Sequence, residues 1–116
     1  MNHKPIVGLV RDLLFRSKID AAAGAASRDT VYASTLEAAA KRCAELTPEI
    51  VVVDLGTATA PGETVAAIRA AAPGAKLIGF ASHVDRDTLK AAREAGFEMV
   101  LSRGEFAARL PELLNQ

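Results

Sequence analysis

Five times along this chain a short apolar, β-rich run is followed by a stretch with helical periodicity, and few folds accept that alternation. The runs are Ile6–Val10, Thr30–Ala33, Ile50–Leu55, Lys76–Ser82 and Met99–Ser102. The first, third and fourth are nearly continuous in apolar residues, the pattern of strands covered on both faces in a parallel sheet. The first helical segment follows Asp12 and repeats Phe15, Ile19, Ala22 and Ala26 on one face. The second opens on Ser34-Thr35-Leu36-Glu37, which predicts a capping box between Ser34 and Glu37 and an inner face of Leu36, Ala40, Cys43 and Thr47. The third follows Pro61-Gly62, buries Val65, Ile68 and Ala72, and stops at Pro73-Gly74. The fourth takes Asp85 as N-cap, buries Leu89 and Ala92, and ends at Gly96. The last starts from Glu105 and contains Pro111, which removes a backbone donor and crowds the preceding turn. A kink or a fresh start is therefore expected at Pro111, with a short final helix to Leu114. Short connections and right-handed crossovers then favour a doubly wound three-layer sandwich with a parallel sheet.

The 116 residues make one domain, 1–116, long enough for a real core. Half of them are hydrophobic and 24% are charged, a globular balance. Fourteen basic residues offset fourteen acidic ones, so no whole-chain field points to nucleic acid or an anionic membrane. No apolar run approaches the ~18 residues of a membrane helix, and the first one breaks at Arg11-Asp12, unlike a signal peptide. The expectation is a cytoplasmic protein. The lone Cys43 forms no internal disulfide and, spaced with Leu36 and Ala40, belongs to the core.

In an open α/β sheet the functional crevice lies outside the carboxyl ends of the strands. There the sequence places Arg11 and Asp12, then Asp54, Leu55, Gly56 and Thr57, then Ala81, Ser82 and His83, and finally Ser102 and Arg103. Asp54 stands out, a single carboxylate ending an apolar strand. Ser82 and His83 are adjacent on a strand end and point to opposite faces, so they form no nucleophile–base pair, and His83 and His3 are expected to be exposed. No Cys/His set suits zinc. Gly8 stands alone in its strand, without the dinucleotide fingerprint, and the cobalamin motif Asp-x-His-x-x-Gly is missing. No enzyme is expected.

The segments Ile50–Leu55, Gly62 with Ile68-Arg69, and Ala92-Arg93-Glu94-Ala95-Gly96 leading into Leu101-Ser102-Arg103 occur in an order and spacing that carry a resemblance. The chain resembles the receiver domains of two-component response regulators, the flavodoxin-like (βα)5 phosphoacceptor module, over almost its whole length. The resemblance implies a five-stranded sheet of order 2-1-3-4-5. It puts Asp54 at the phosphoacceptor, Asp12 at the second acid of the metal-binding pair, Gly56 where a backbone carbonyl binds the metal, and Gly62 in the loop after the phosphoacceptor. Five positions depart from the family. The first acid is Arg11, the switch hydroxyl is Ala81 with Ser82 one place later, the lysine is Arg103, the switch aromatic is Val100, and a proline is Ala58.

These departures have physical consequences. Mg²⁺ seeks near-octahedral oxygen ligands, usually with one or two carboxylates, which Asp12 and Asp54 would supply along with Gly56. A guanidinium repels such an ion; unit charges ~4 Å apart interact by about 4 kcal/mol at an effective dielectric near 20. An arginine also pairs well with a carboxylate, so Arg11 or Arg103 is expected to hold Asp54. The resulting expectation is a stand-alone receiver-like module with impaired phosphoacceptor chemistry, and any Mg²⁺ site weak. It would act on a protein partner (a kinase, an output protein or a second copy) through helix four, strand five and the last helix, a face that includes Arg86, Lys90, Arg103 and Glu105. Two alternatives stand beside it: a working Mg²⁺-dependent phosphoreceiver using Asp54, and a binder of small anions using the crevice arginines.

Overall fold

The computed structural model describes residues 4–56 and 60–115. Strands and helices alternate as β1 (Ile6–Leu9), α1 (Leu13–Ala25), β2 (Thr30–Ala33), α2 (Leu36–Leu46), β3 (Ile50–Asp54), α3 (Pro61–Ala71), β4 (Lys76–Ala81), α4 (Arg86–Ala95), β5 (Met99–Ser102) and α5 (Arg103–Leu114). All neighbouring strands pair in parallel, in the order β2-β1-β3-β4-β5. The predicted fold class and strand order are both found.

The period-two alternation of a strand sorts the core into two layers. Ile6, Ile50, Val52, Ile78 and Phe80 face one side, where they pack with Phe15 and Ile19 of α1 and Phe106, Leu110 and Leu113 of α5. Val7, Leu9, Val51, Val53 and Leu77 face the other, against Ala39 and Cys43 of α2, Ile68 of α3 and Leu89 and Ala92 of α4. No described helix is long and apolar enough to cross a membrane.

The helix ends explain where the sequence expectation slipped. In α2 the cap is Thr35, not Ser34: its hydroxyl accepts from the Ala38 amide at 3.1 Å. Cys43 is buried as expected, but it is joined by Ala39 rather than Ala40, which is only partly buried, and Leu36 packs at the margin. Thr47 is no inner-face residue; it is the exposed C-cap in the left-handed region, φ 43°. In α1 the buried set is Phe15, Ile19 and Ala23, while Ala26 is the C-cap. Helix α3 buries Thr64 and Ile68 and leaves Val65 half-buried. Asp85 precedes α4 but makes no side-chain cap bond, and Gly96 ends the helix at φ 109°, where a side chain would be strained.

Helix α5 continues through Pro111 without the fresh start offered as one expectation, and it begins at Arg103, ahead of Glu105. A helical proline costs about 3 kcal/mol. Leu110, Leu113 and Leu114 are all buried in the same turn, and each contributes roughly 1.5–3 kcal/mol on burial. Packing therefore outweighs the proline, and the helix start is secured by a capping box between Ser102 and Glu105.

Candidate functional site

Asp54 is the last residue of β3 and is only 2% exposed. By alternation it shares the α1/α5 side with Ile50 and Val52, and it lies opposite Phe80 in the β3–β4 register. One carboxylate oxygen, Oδ1, accepts from the Gly56 amide at 3.0 Å. The other, Oδ2, lies 3.8 Å from Nη2 of Arg103. Nη1 of the same guanidinium lies 3.7 Å from Oδ2 of Asp12. Both distances are those of ion pairs and longer than hydrogen bonds. Asp12 divides its work, because its Oδ1 accepts from the Leu14 amide at 2.9 Å and the Phe15 amide at 3.4 Å, capping α1. The cap and the contact with Arg103 use opposite oxygens of one carboxylate.

Arg103 is thus placed among three elements. It is the first residue of α5, it reaches the end of β3 and the cap of α1, and its Cζ sits 5.3 Å from the centroid of the Phe15 ring. The sequence left two candidates for the cation at Asp54. Arg103 is the one brought there; Arg11 is exposed and pairs with no described carboxylate. Arg103 takes the crevice position that the sequence offered it, and Arg86, Lys90 and Glu105 are exposed.

The other crevice candidates are accounted for by local structure. Ala81 ends β4 and is buried. The Ser82 hydroxyl accepts from the Val84 amide at 3.5 Å, so it serves its own loop, and His83 is exposed. Ser102 is the α5 cap, and its amide donates to Glu105, holding that carboxyl below its usual range. Val100 is half-buried and packs toward the α2–α4 layer. Gly62 is exposed in the first turn of α3. Thr57, Ala58 and His3 lie outside the described residues.

Two features escaped the sequence. The large apolar side chains exposed among the described residues are Leu13, Leu14 and Val84, and all lie just beyond strand ends β1 and β4, on the crevice side. The signal for the first two was available, since the repeat Phe15–Ile19–Ala22 leaves Leu13 and Leu14 off the inner face. The second is a clasp at the sheet edge. The Tyr32 hydroxyl donates to Asp20 at 2.8 Å, Thr30 donates to the same oxygen at 2.6 Å, and the Arg16 guanidinium lies 4.8 Å from the Tyr32 ring. Burial, reinforced by the Asp20 carboxylate, pushes the Tyr32 hydroxyl well above its ordinary pKa. Gly8 is opposite Tyr32 in the β1–β2 ladder, and a Cβ there would lie 2.8 Å from the ring, so glycine is required by close approach.

As a donor set for a divalent ion the crevice is thin. Two carboxylates converge, a guanidinium carbon chain ends between them, and no group of three or more ligating His, Cys, Asp or Glu residues occurs among the described residues.

No family profile and no curated protein matches the sequence. Solved structures do match the fold. The receiver domain of a sensor histidine kinase from Pseudomonas aeruginosa, determined with a magnesium ion in its active-site cleft, superposes with a TM-score of 0.80 at 13% identity, covering 97% of this chain and 94% of that one. A response regulator from Hahella chejuensis gives 0.81 at 15% identity, covering 96% and 92%. A CheY-like protein, TadZ, from Pseudomonas aeruginosa gives 0.75 at 17% identity, covering 97% of each chain. The fold is that of receiver domains.

Proposed function

We propose that this chain is a receiver-type signalling module that works by binding a protein partner, with Asp54 held by Arg103 in place of a metal ion. The reading is supported most by one observation: a single guanidinium spans Asp12 and Asp54, the two acids that the resemblance assigns to metal binding. Mg²⁺ needs those same oxygens with near-octahedral geometry. The cation already present repels it, and Arg11 replaces a third acid. The donor set therefore does not fit a resident Mg²⁺, and no step through one is derived. Partner contact is assigned to the crevice rim, where Leu13, Leu14 and Val84 expose apolar surface.

The test is incubation with a small phosphodonor and Mg²⁺ at millimolar concentration, read by intact mass and by Mg²⁺ titration. No adduct and no saturable Mg²⁺ binding are expected. An adduct lost in Asp54→Asn, together with saturable binding, establishes the second reading, a working phosphoreceiver. That reading draws on the convergence of Asp12 Oδ2 and Asp54 Oδ2 at one cation. An anion site at Arg103 is disfavoured, because two carboxylates already neutralise it.

A further inference from the structure

Two cations lie near the Phe15 ring, one at the Asp54 crevice and one at a groove on the outside of the molecule. On the crevice side, the Arg103 guanidinium carbon is 5.3 Å from the ring centroid. On the other, the ammonium of Lys18 is 5.9 Å from it, and Lys18 lines an open groove of about 420 Å³ with Ala21 and Ala22 of α1 and Ala107, Leu110 and Pro111 of α5. Phe15 also belongs to a three-ring stack. Its centroid is 4.9 Å from that of Phe80, and Phe80 is 4.3 Å from Phe106 with the planes 7° apart. Phe80 is the ladder neighbour of Asp54, and Phe106 lies one turn into α5. Leu110, which lines the groove, belongs to the same buried cluster as the three rings, so the groove and the crevice border one shared core.

We propose that Arg103 couples the charge on Asp54 to the packing of α1 against α5, through Phe15. The proposal rests on the Arg103–Asp54 pair read above. Arg103 is both the start of α5 and the partner of Asp54, so no intervening residue absorbs a change at the carboxylate. Neutralising Asp54 leaves the guanidinium with Asp12 and Phe15, both on α1. Adding negative charge at Asp54 draws it toward β3 instead. Either change alters how the first turn of α5 sits on Phe15. Close-packed rings do not deform continuously; a shift in one requires repacking of the next. Ala81 and Val100 carry neither hydroxyl nor ring, whereas the aromatic stack joins the strand beside Asp54 to α1 and α5.

The experiment uses NMR of the whole chain, following the Arg103 side-chain Nε–H and the methyls of Ala22, Ala107 and Leu110. Asp54→Asn is expected to move the Arg103 signal and the groove methyls together, and to raise amide exchange several-fold in the first turn of α5. In a Phe15→Leu background, the same substitution should still move Arg103 while the groove response largely disappears. If the Leu variant loses its folded spectrum, Phe15→Met replaces it. Arg103 moving while the groove stays silent in the wild-type background overturns the coupling alone. A groove response undiminished by the Phe15 substitution overturns the route. An Arg103 signal indifferent to Asp54→Asn overturns the ion pair, and with it both readings.

Discussion

Replacing Arg103 by alanine tests the crevice most directly. The pair geometry, 3.8 Å to Asp54 and 3.7 Å to Asp12, gives a Coulomb attraction of about 4 kcal/mol per pair at an effective dielectric near 20. That is too large as a net value, because the Arg103 side chain is 43% exposed and exposed pairs contribute only ~0–1 kcal/mol. The larger effect is on the other partner. Asp54 is 3% exposed at its side chain and keeps one hydrogen bond, from Gly56. Stranding a buried, partly satisfied polar group costs about 1–3 kcal/mol. Loss of the guanidinium from the Phe15 ring adds about 0.5 kcal/mol. The expected destabilisation is about 2 kcal/mol, or roughly 8 °C in Tm for a domain of this size. Urea unfolding should show the midpoint fall with an unchanged slope. The double variant Arg103→Ala/Asp54→Asn should recover part of the loss, because no carboxylate is then stranded, giving a coupling energy of about 1.5 kcal/mol. An Arg103→Ala midpoint equal to wild type, or an Asp54→Asn effect identical in both backgrounds, refutes the ion-pair reasoning.

Gly8→Ala should destabilise by about 2 kcal/mol through overpacking against the Tyr32 ring, and the penalty should shrink in a Tyr32→Leu background; equal penalties in the two backgrounds count against the clash. Glu98 feels burial most strongly, which raises its pKa, yet hydrogen bonds from Arg69 and the Leu77 amide outweigh that and hold the carboxyl below its ordinary value. Its folded-state contribution is present above the unfolded pKa of about 4.3 and is lost as the pH falls through the folded value. The stability gap between wild type and Glu98→Gln should therefore be widest near neutrality and close in acid, and a gap constant across that range argues against it. Burial pushes the Cys43 thiol up to about 11, so it should resist a thiol reagent at pH ~8 in the folded state and react on unfolding; rapid labelling of the native protein would place it at the surface.

The architecture was legible because it rests on two periodicities. Near-continuous apolar runs at Ile50–Leu55 and Lys76–Ser82 have the pattern of strands covered on both faces, and the alternation with helices favoured a doubly wound sandwich, whose strand order the resemblance to receiver domains then implied. Boundaries were less legible. Ser34 and Thr35 are chemically equivalent caps, and only the placement of Ala39 and Cys43 against the sheet selects Thr35. Pro111 carries a strong local preference against helix, overridden by three leucines whose burial is a tertiary fact. At the crevice, the strand-end rule put Asp12, Asp54 and Arg103 at one end of the sheet, where they meet, but it could not choose between Arg11 and Arg103, since both follow strands that end there.

The sequence by itself determined the layers, the parallel sheet and the position of Asp54 at the carboxyl end of a strand, because these follow from patterns repeated along the chain; the strand order was implied by the resemblance to receiver domains. Tertiary structure decided which cation meets Asp54, which oxygen of Asp12 caps α1 and which faces the guanidinium, and that Phe15 stacks on Phe80. Those outcomes depend on side chains from α1, β3, β4 and α5 that are far apart in the chain, such as Asp12 and Arg103, converging at one place. No local pattern encodes such a meeting; the packing of the sheet and its helices brings it about.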